Sequence, residues 1–149
     1  MDAQKRNPRR VLLTHALDPM DLAKLEVLGH EILVVNDANG GATLKELLEA
    51  KAAPTKKPLP LEKVVIFNGY SEADLKQGVL AIRESFPVRP IIAAVTDHSY
   101  LWSFEFLLTE HLIADRDWNL RNAAEYQNNL QKEKAARADG ASAASSVEG

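Results

Sequence analysis

Thr14, His15, Asp37, Asn68, Thr96, Asp97 and His98 are the side chains of this sequence best placed for chemistry, because each falls at the end of a short apolar run or just beyond it. Hydroxyl, amide, carboxylate and imidazole groups gathered at the carboxyl ends of parallel strands line the ligand crevice of open α/β sheets. Asp18, Thr43 and Ser71 open the helices that follow, and helix starts add unpaired backbone N–H groups suited to a small anion. Turns and caps need these same residue types whatever the function. His15, Asp37, Asp97 and His98 could together form a metal set or an acid/base pair, but no HExxH spacing is present. No GxGxxG and no GxxxxGK[ST] occurs either. No catalytic residue, metal ligand or cofactor is therefore assigned.

The elements that must position these residues alternate. Residues 11–14 read as a buried strand, and Asp18 with Pro19 and Asp21 starts a helix carrying Leu22, Leu25 and Leu28. Gly29 ends that helix in a left-handed conformation. Residues 31–35 form a second apolar strand, and Thr43 caps the short helix of Leu44, Leu47 and Leu48. Residues 51–62 form a linker holding Pro54, Pro58 and Pro60. Residues 64–67 are the third strand. Ser71 and Asp74 resemble a capping box before the stripe Leu75, Gly78, Val79, Ile82 and Phe86. Pro90 opens a fourth strand over 90–95. A last helix from about Trp102 puts Phe104, Leu107, Leu108, His111 and Leu112 on one face, which makes His111 a packed histidine rather than a ligand.

The chain also resembles itself. VLLTHALDPMDL lies over VVIFNGYSEADL so that Val11 meets Val64, Leu13 meets Ile66, Asp18 meets Ser71 and Asp21 meets Asp74. Further on, TLKELL lies over SFEFLL, bringing Thr43 onto Ser103. Agreement in cap positions as well as apolar phase points to an internal duplication. The expected fold is α/β: two β-α-β-α units, residues 11–50 and 63–116, forming one small, mostly parallel four-stranded sheet with flanking helices. The unbroken apolar runs of the second and fourth strands favour that version. The alternative is a sheet in which the two halves meet antiparallel.

Residues 63–116, with VVIFNGY, SEADL, IIAAVT and Thr96 followed by Trp102 and SFEFLLTEH, resemble the bacterial family called domain of unknown function 3783. In that family the turn between Thr and Trp often holds Asn, where this chain has Ser99. The resemblance implies the fold unit and supplies no reaction.

Composition bounds the remainder. With 149 residues, 46% apolar and 26% charged, the chain suits one soluble domain with tails. A net charge of -3 offers no general field for nucleic acid or an acidic membrane. The basic arm over residues 1–10, with Lys5, Arg6, Arg9 and Arg10, reads as a solvated tail. No cysteine is present, and the apolar runs are too short for a bilayer. The expected location is the cytoplasm, or an organelle interior if a targeting peptide precedes this numbering. Residues 117–138 read as a polar helical extension with Trp118, Tyr126 and Leu130, and 139–149 as a disordered tail.

Phe106 falls off the apolar stripe of its helix, and large apolar residues off a buried face mark contact surfaces. Trp102, Phe106, Trp118 and Tyr126 are the candidates for such a surface. The expected function is a non-enzymatic protein-interaction or regulatory module, binding a protein partner or a second copy of itself. The alternative is a small-molecule or anion-binding domain, or an enzyme, built on the strand-end residues.

Overall fold

The computed structural model describes residues 6–123, 129 and 131. The chain divides into two compact units, Met1–Ile113 and Ala114–Gly149. The first contains β1 (Val11–His15), α1 (Pro19–Val27), β2 (Ile32–Val34), α2 (Leu44–Leu48), β3 (Val64–Asn68), α3 (Glu72–Ser85), β4 (Ile91–Ala94) and α4 (Phe104–Leu107). A 3-10 turn, Ser99–Leu101, precedes α4, and a π-helical turn, Leu108–Leu112, follows it. In the second unit residues 114–123 are helical, with Trp118 and Leu120 exposed. Lys5, Tyr126, Leu130 and the tail over 139–149 lie outside the described residues.

Each helix starts where a short polar side chain satisfies its first N–H groups. Asp18 and Asp21 form a reciprocal capping box on α1, as do Thr43 and Glu46 on α2. Ser71 accepts from the Asp74 N–H, but the Asp74 carboxylate turns instead to Arg10, 3.6 Å away, so this box is half made. Gly29, with φ +90°, closes α1 in the left-handed region as expected. Gly78 has a different reason: a Cβ there would sit 2.6 Å from Phe67 Cε2, so its hydrogen lets α3 lie close against β3.

The strands are ordered β2-β1-β3-β4. Within each β-α-β-α half the strands are parallel, β1 with β2 and β3 with β4, but β1 meets β3 antiparallel, with Leu13 opposite Ile66. The sheet is therefore mixed, not mostly parallel. Apolar runs report that both faces of a strand are covered and say nothing of its direction, and here helices cover both faces. Leu25 of α1 with Ile82 and Phe86 of α3 packs on Leu12, Val65 and Phe67. Leu44, Leu47 and Leu48 of α2 with Phe104, Leu107 and Leu108 pack on Val11, Leu13, Val64 and Ile66. The wholly buried strands are β1 and β3, whereas β2 and β4, whose apolar runs suggested a parallel core, form the half-exposed edges. Full burial of side chains such as Ile82 and Phe104 contributes about 1.5–3 kcal/mol each. One exposed ion pair supplies about 1 kcal/mol at most, so apolar packing holds the layers. Among the described residues no helix is long and apolar enough to cross a membrane.

Candidate functional site

Because β1 and β3 run oppositely, the strand-end residues fall at two edges rather than along one rim. Thr14, His15 and Asp37 lie at one edge, and Asn68, Thr96, Asp97 and His98 at the other. The seven residues do not converge.

At the first edge, residues 55–60 of the linker close the strand ends. His15 is buried, with Nδ1 2.9 Å from the Val35 carbonyl oxygen and Nε2 2.8 Å from that of Pro60. Both partners only accept, so the imidazole serves as a donor between strand and linker. Its edge meets the Phe104 ring at 5.5 Å. The Asp37 carboxylate accepts from the Leu59 N–H at 2.8 Å, and its carbonyl accepts from the Thr55 N–H at 2.9 Å. Thr14 is buried, and its carbonyl accepts from Val35.

The second edge is closed by residues 6–10, which the sequence suggests are a solvated arm. Asn68 is buried and donates from Nδ2 to the carbonyls of Asn7, at 3.0 Å, and Arg9, at 2.7 Å. Gly69, with φ +77°, lies so close to this segment that a Cβ would be 2.5 Å from the Pro8 and Arg9 oxygens. Arg6 donates to the Val95 carbonyl and pairs with Asp97 at 3.2 Å. Thr96 and Ser99 bond each other, Thr96 N–H to Ser99 Oγ at 2.8 Å and Ser99 N–H to Thr96 Oγ1 at 3.0 Å. A cavity of about 540 Å³ remains between the segment and the rim, lined by Arg6, Asn7, Asn68, Tyr70 and Leu75 among others.

Sequence reasoning passed over three polar arrangements. Lys63 reaches the buried Asp21 carboxylate at 2.7 Å and Asp18 at 3.5 Å. The bond to Asp21 raises the ammonium pKa, and a hydrogen bond from the Asp21 N–H lowers that of Asp18. Arg10 lies 4.2 Å above the Tyr70 ring, whose hydroxyl is 2.6 Å from His30 Nδ1. Burial pushes the Tyr70 pKa up and that of His30 down. Finally, the Glu105 carboxylate accepts from the consecutive N–H groups of Lys56 and Lys57, both at 3.1 Å, fixing the linker to α4. All three join segments distant in sequence, so no local signal marks them.

The aromatic candidates do come together. Trp102 stacks on His111 with ring centroids 4.4 Å apart and 13° between planes, and Phe106 meets both rings at 5.3 Å. His98 lies 6.5 Å from Trp102. His111 lies in the π-helical turn that follows Leu107 and packs on Trp102. Trp102 is half-buried against the core, while Phe106 is 43% exposed and the neighbouring Leu101 is 61% exposed.

This surface lies in the second β-α-β-α half, residues 63–116. Residues 63–118 match the model of a family described as Domain of unknown function (DUF3783). The DUF3783 segment thus begins just before β3, takes in α3 and β4, and includes Trp102, Phe106 and His111. No curated protein matches the chain. No solved structure matches it either.

Proposed function

We propose that the protein is a non-enzymatic protein-interaction module whose docking face is the surface of Trp102, Phe106 and His111, with Leu101 beside it. The observation that carries this reading is Phe106: an aromatic residue 43% exposed on a helix whose Phe104 and Leu107 are buried, with its ring in edge and tilted contact with Trp102 and His111. Rigid aromatic side chains lose little conformational freedom on binding and supply much of the energy of protein interfaces. The alternative of a ligand crevice needed the strand ends on one rim. Their polar groups are instead spent on internal bonds at two edges.

We also read the two β-α-β-α units as duplicated copies, of which the second carries the docking face. Support comes from two pairings between residues that the sequence superposes, Leu13 with Ile66 in the sheet and Thr43 with Ser103 at the helix caps. The equivalent of Phe106 in the first unit is Glu46, committed to the Thr43 cap. The partner is a protein acting in the same compartment, expected to be the cytoplasm.

The test uses the full-length chain as bait, followed by affinity measurement with the purified captured protein. Phe106→Ser, with unchanged circular dichroism, is expected to weaken binding tenfold or more, as loss of about 1.4 kcal/mol or more at a hot spot does. Equal affinity for wild type and variant would remove this face from the proposal. Light scattering over a range of concentrations tells a separate partner from a second copy.

A further inference from the structure

We propose that residues 6–10 are a salt-sensitive strap that opens independently of the domain and, while closed, holds the turn bearing Trp102. The basis is a difference between the two strand-end closures. Continuing the sequence superposition brings His15 onto Asn68, Pro60 onto Asn7, Leu59 onto Arg6 and Asp37 onto Asp97. The bonds follow the same scheme: His15 to the Pro60 carbonyl and Asn68 to the Asn7 carbonyl, Leu59 to Asp37 and Arg6 to Asp97.

Their chemistry differs. In the first closure Leu59 is 5% exposed and belongs to the main apolar cluster, so the linker is anchored by burial. At the matching place in the second closure stands Arg6, whose side chain is 39% exposed, and none of residues 6–10 is fully buried. Beside the hydrogen bonds from Asn68, ion pairs rather than buried apolar side chains hold this segment, and each goes to a different element. Arg6 pairs with Asp97 after β4, Arg9 with Glu31 before β2, and Arg10 with Asp74 in the first turn of α3. Exposed pairs of this kind are weak and are screened by salt. A cavity of about 540 Å³ lies between the segment and the rim, so the two are not closely packed there.

Release of the strap acts on the docking face through a short path. Arg6 holds the Val95 carbonyl and Asp97, and the Asn7 N–H donates to the Tyr100 hydroxyl at 3.1 Å. Tyr100 belongs to the 3-10 turn Ser99–Leu101, and the next residue is Trp102. A closed strap therefore adds the bonds from Arg6 and Asn7 to the turn that presents the aromatic surface, and an open one leaves those between Thr96 and Ser99 and from Leu44 to Trp102. The functional importance of this coupling rests on the docking reading above, but the test below involves no partner, so the two fail separately.

Hydrogen exchange on the full-length chain reads the opening. Between about 0.01 M and 1 M salt the screening length falls from about 30 Å to about 3 Å. The Asn7 and Arg9 amides are expected to exchange about tenfold faster at the high end, as loss of two or three exposed pairs allows. The Leu59 and Phe67 amides are expected to keep their rates. Asp97→Asn, which removes one of the three pairs, should produce part of that acceleration at Asn7 at low salt, and in a Trp118→Phe background the Trp102 emission should shift with it. Salt-independent protection of Asn7, matching that of Leu59, would overturn the strap. Faster exchange with unchanged Trp102 emission would overturn its hold on the turn.

Discussion

Thr43 and Ser103 face each other across an antiparallel bridge, and each caps the helix that follows it. The Leu44 N–H donates to the Trp102 carbonyl at 3.0 Å, and the Phe104 N–H to the Ala42 carbonyl at 3.1 Å, so the two cap regions exchange equivalent bonds. Leu13 and Ile66 stand in the same relation within the sheet. Both pairings are antiparallel and join residues that the sequence superposes, which fits the proposed copying of one unit. Removing one cap should cost what an N-cap costs: Thr43→Ala is expected to lower stability by about 1 kcal/mol. Thr43→Ser, which copies its counterpart, should stay close to wild type. Urea unfolding of both variants checks this, and equal losses would mean that the hydroxyl is not acting as a cap.

What could be read from the sequence was what depends on near neighbours. Asp18, Thr43 and Ser71 act on N–H groups three residues on, and the helices after them start where the sequence placed them. The relative direction of β1 and β3 was out of reach, because an apolar strand looks the same whichever way its neighbour runs. That one unknown moved Asn68 to the opposite edge from His15. Likewise Arg6, Arg9 and Arg10 carry no local mark of the acidic partners that hold them. Trp102 and Phe106 were legible as candidates because a large apolar residue off the helical stripe needs an explanation. The stacking of His111 was not, since it joins a residue of the π-helical turn to Trp102 before α4, a pairing that no periodic pattern marks.

His15 should be replaceable by the residue its counterpart uses. His15→Asn keeps a donor for the Pro60 or Val35 carbonyl, whereas His15→Leu leaves both without one. An unmet buried acceptor costs about 1–3 kcal/mol, so the leucine variant is expected to be the less stable by roughly that amount. Chemical denaturation ranks the pair. A leucine variant as stable as the asparagine one would show that packing against Phe104, not hydrogen bonding, sets the requirement.

Gly78→Ala is expected to destabilise the protein although alanine is the better helix former. Propensity favours the change by about 1 kcal/mol at most. Against that, the new methyl would lie 2.6 Å from the buried Phe67 ring, and overpacking of a filled core costs about 1–3 kcal/mol. The denaturation midpoint should fall. A rise would mean that α3 moves away from β3 at little expense.

Ala16 occupies the left-handed region with φ 59°, the place that Gly69 fills at the other edge with φ 77°. A residue with a Cβ is strained there by about 1–2 kcal/mol. Part of the relief in Ala16→Gly is offset by the greater freedom of glycine in the unfolded chain. The net expectation is a gain of about 0.5–1 kcal/mol, read as a higher melting temperature. Loss of stability would indicate that the Ala16 methyl makes a contact worth more than the strain.

His30 gives the domain a pH dependence of defined sign. Burial, followed by the charge of Arg10, holds its folded-state pKa below the ordinary histidine value of about 6.5. As pH falls through that value the unfolded chain takes up a proton that the folded chain still refuses, so protonation favours unfolding. The stability tied to neutral His30 is therefore complete above about pH 6.5 and is lost as pH drops through the folded-state value. His30→Gln keeps a polar neighbour for the Tyr70 hydroxyl but cannot titrate. Urea midpoints between about pH 7.5 and 5 should fall more steeply for wild type than for this variant, and the ring resonances of His30 should titrate below the unfolded value. Parallel pH profiles for the two proteins would show that the Arg10, Tyr70 and His30 contact places no burden on the charged imidazole.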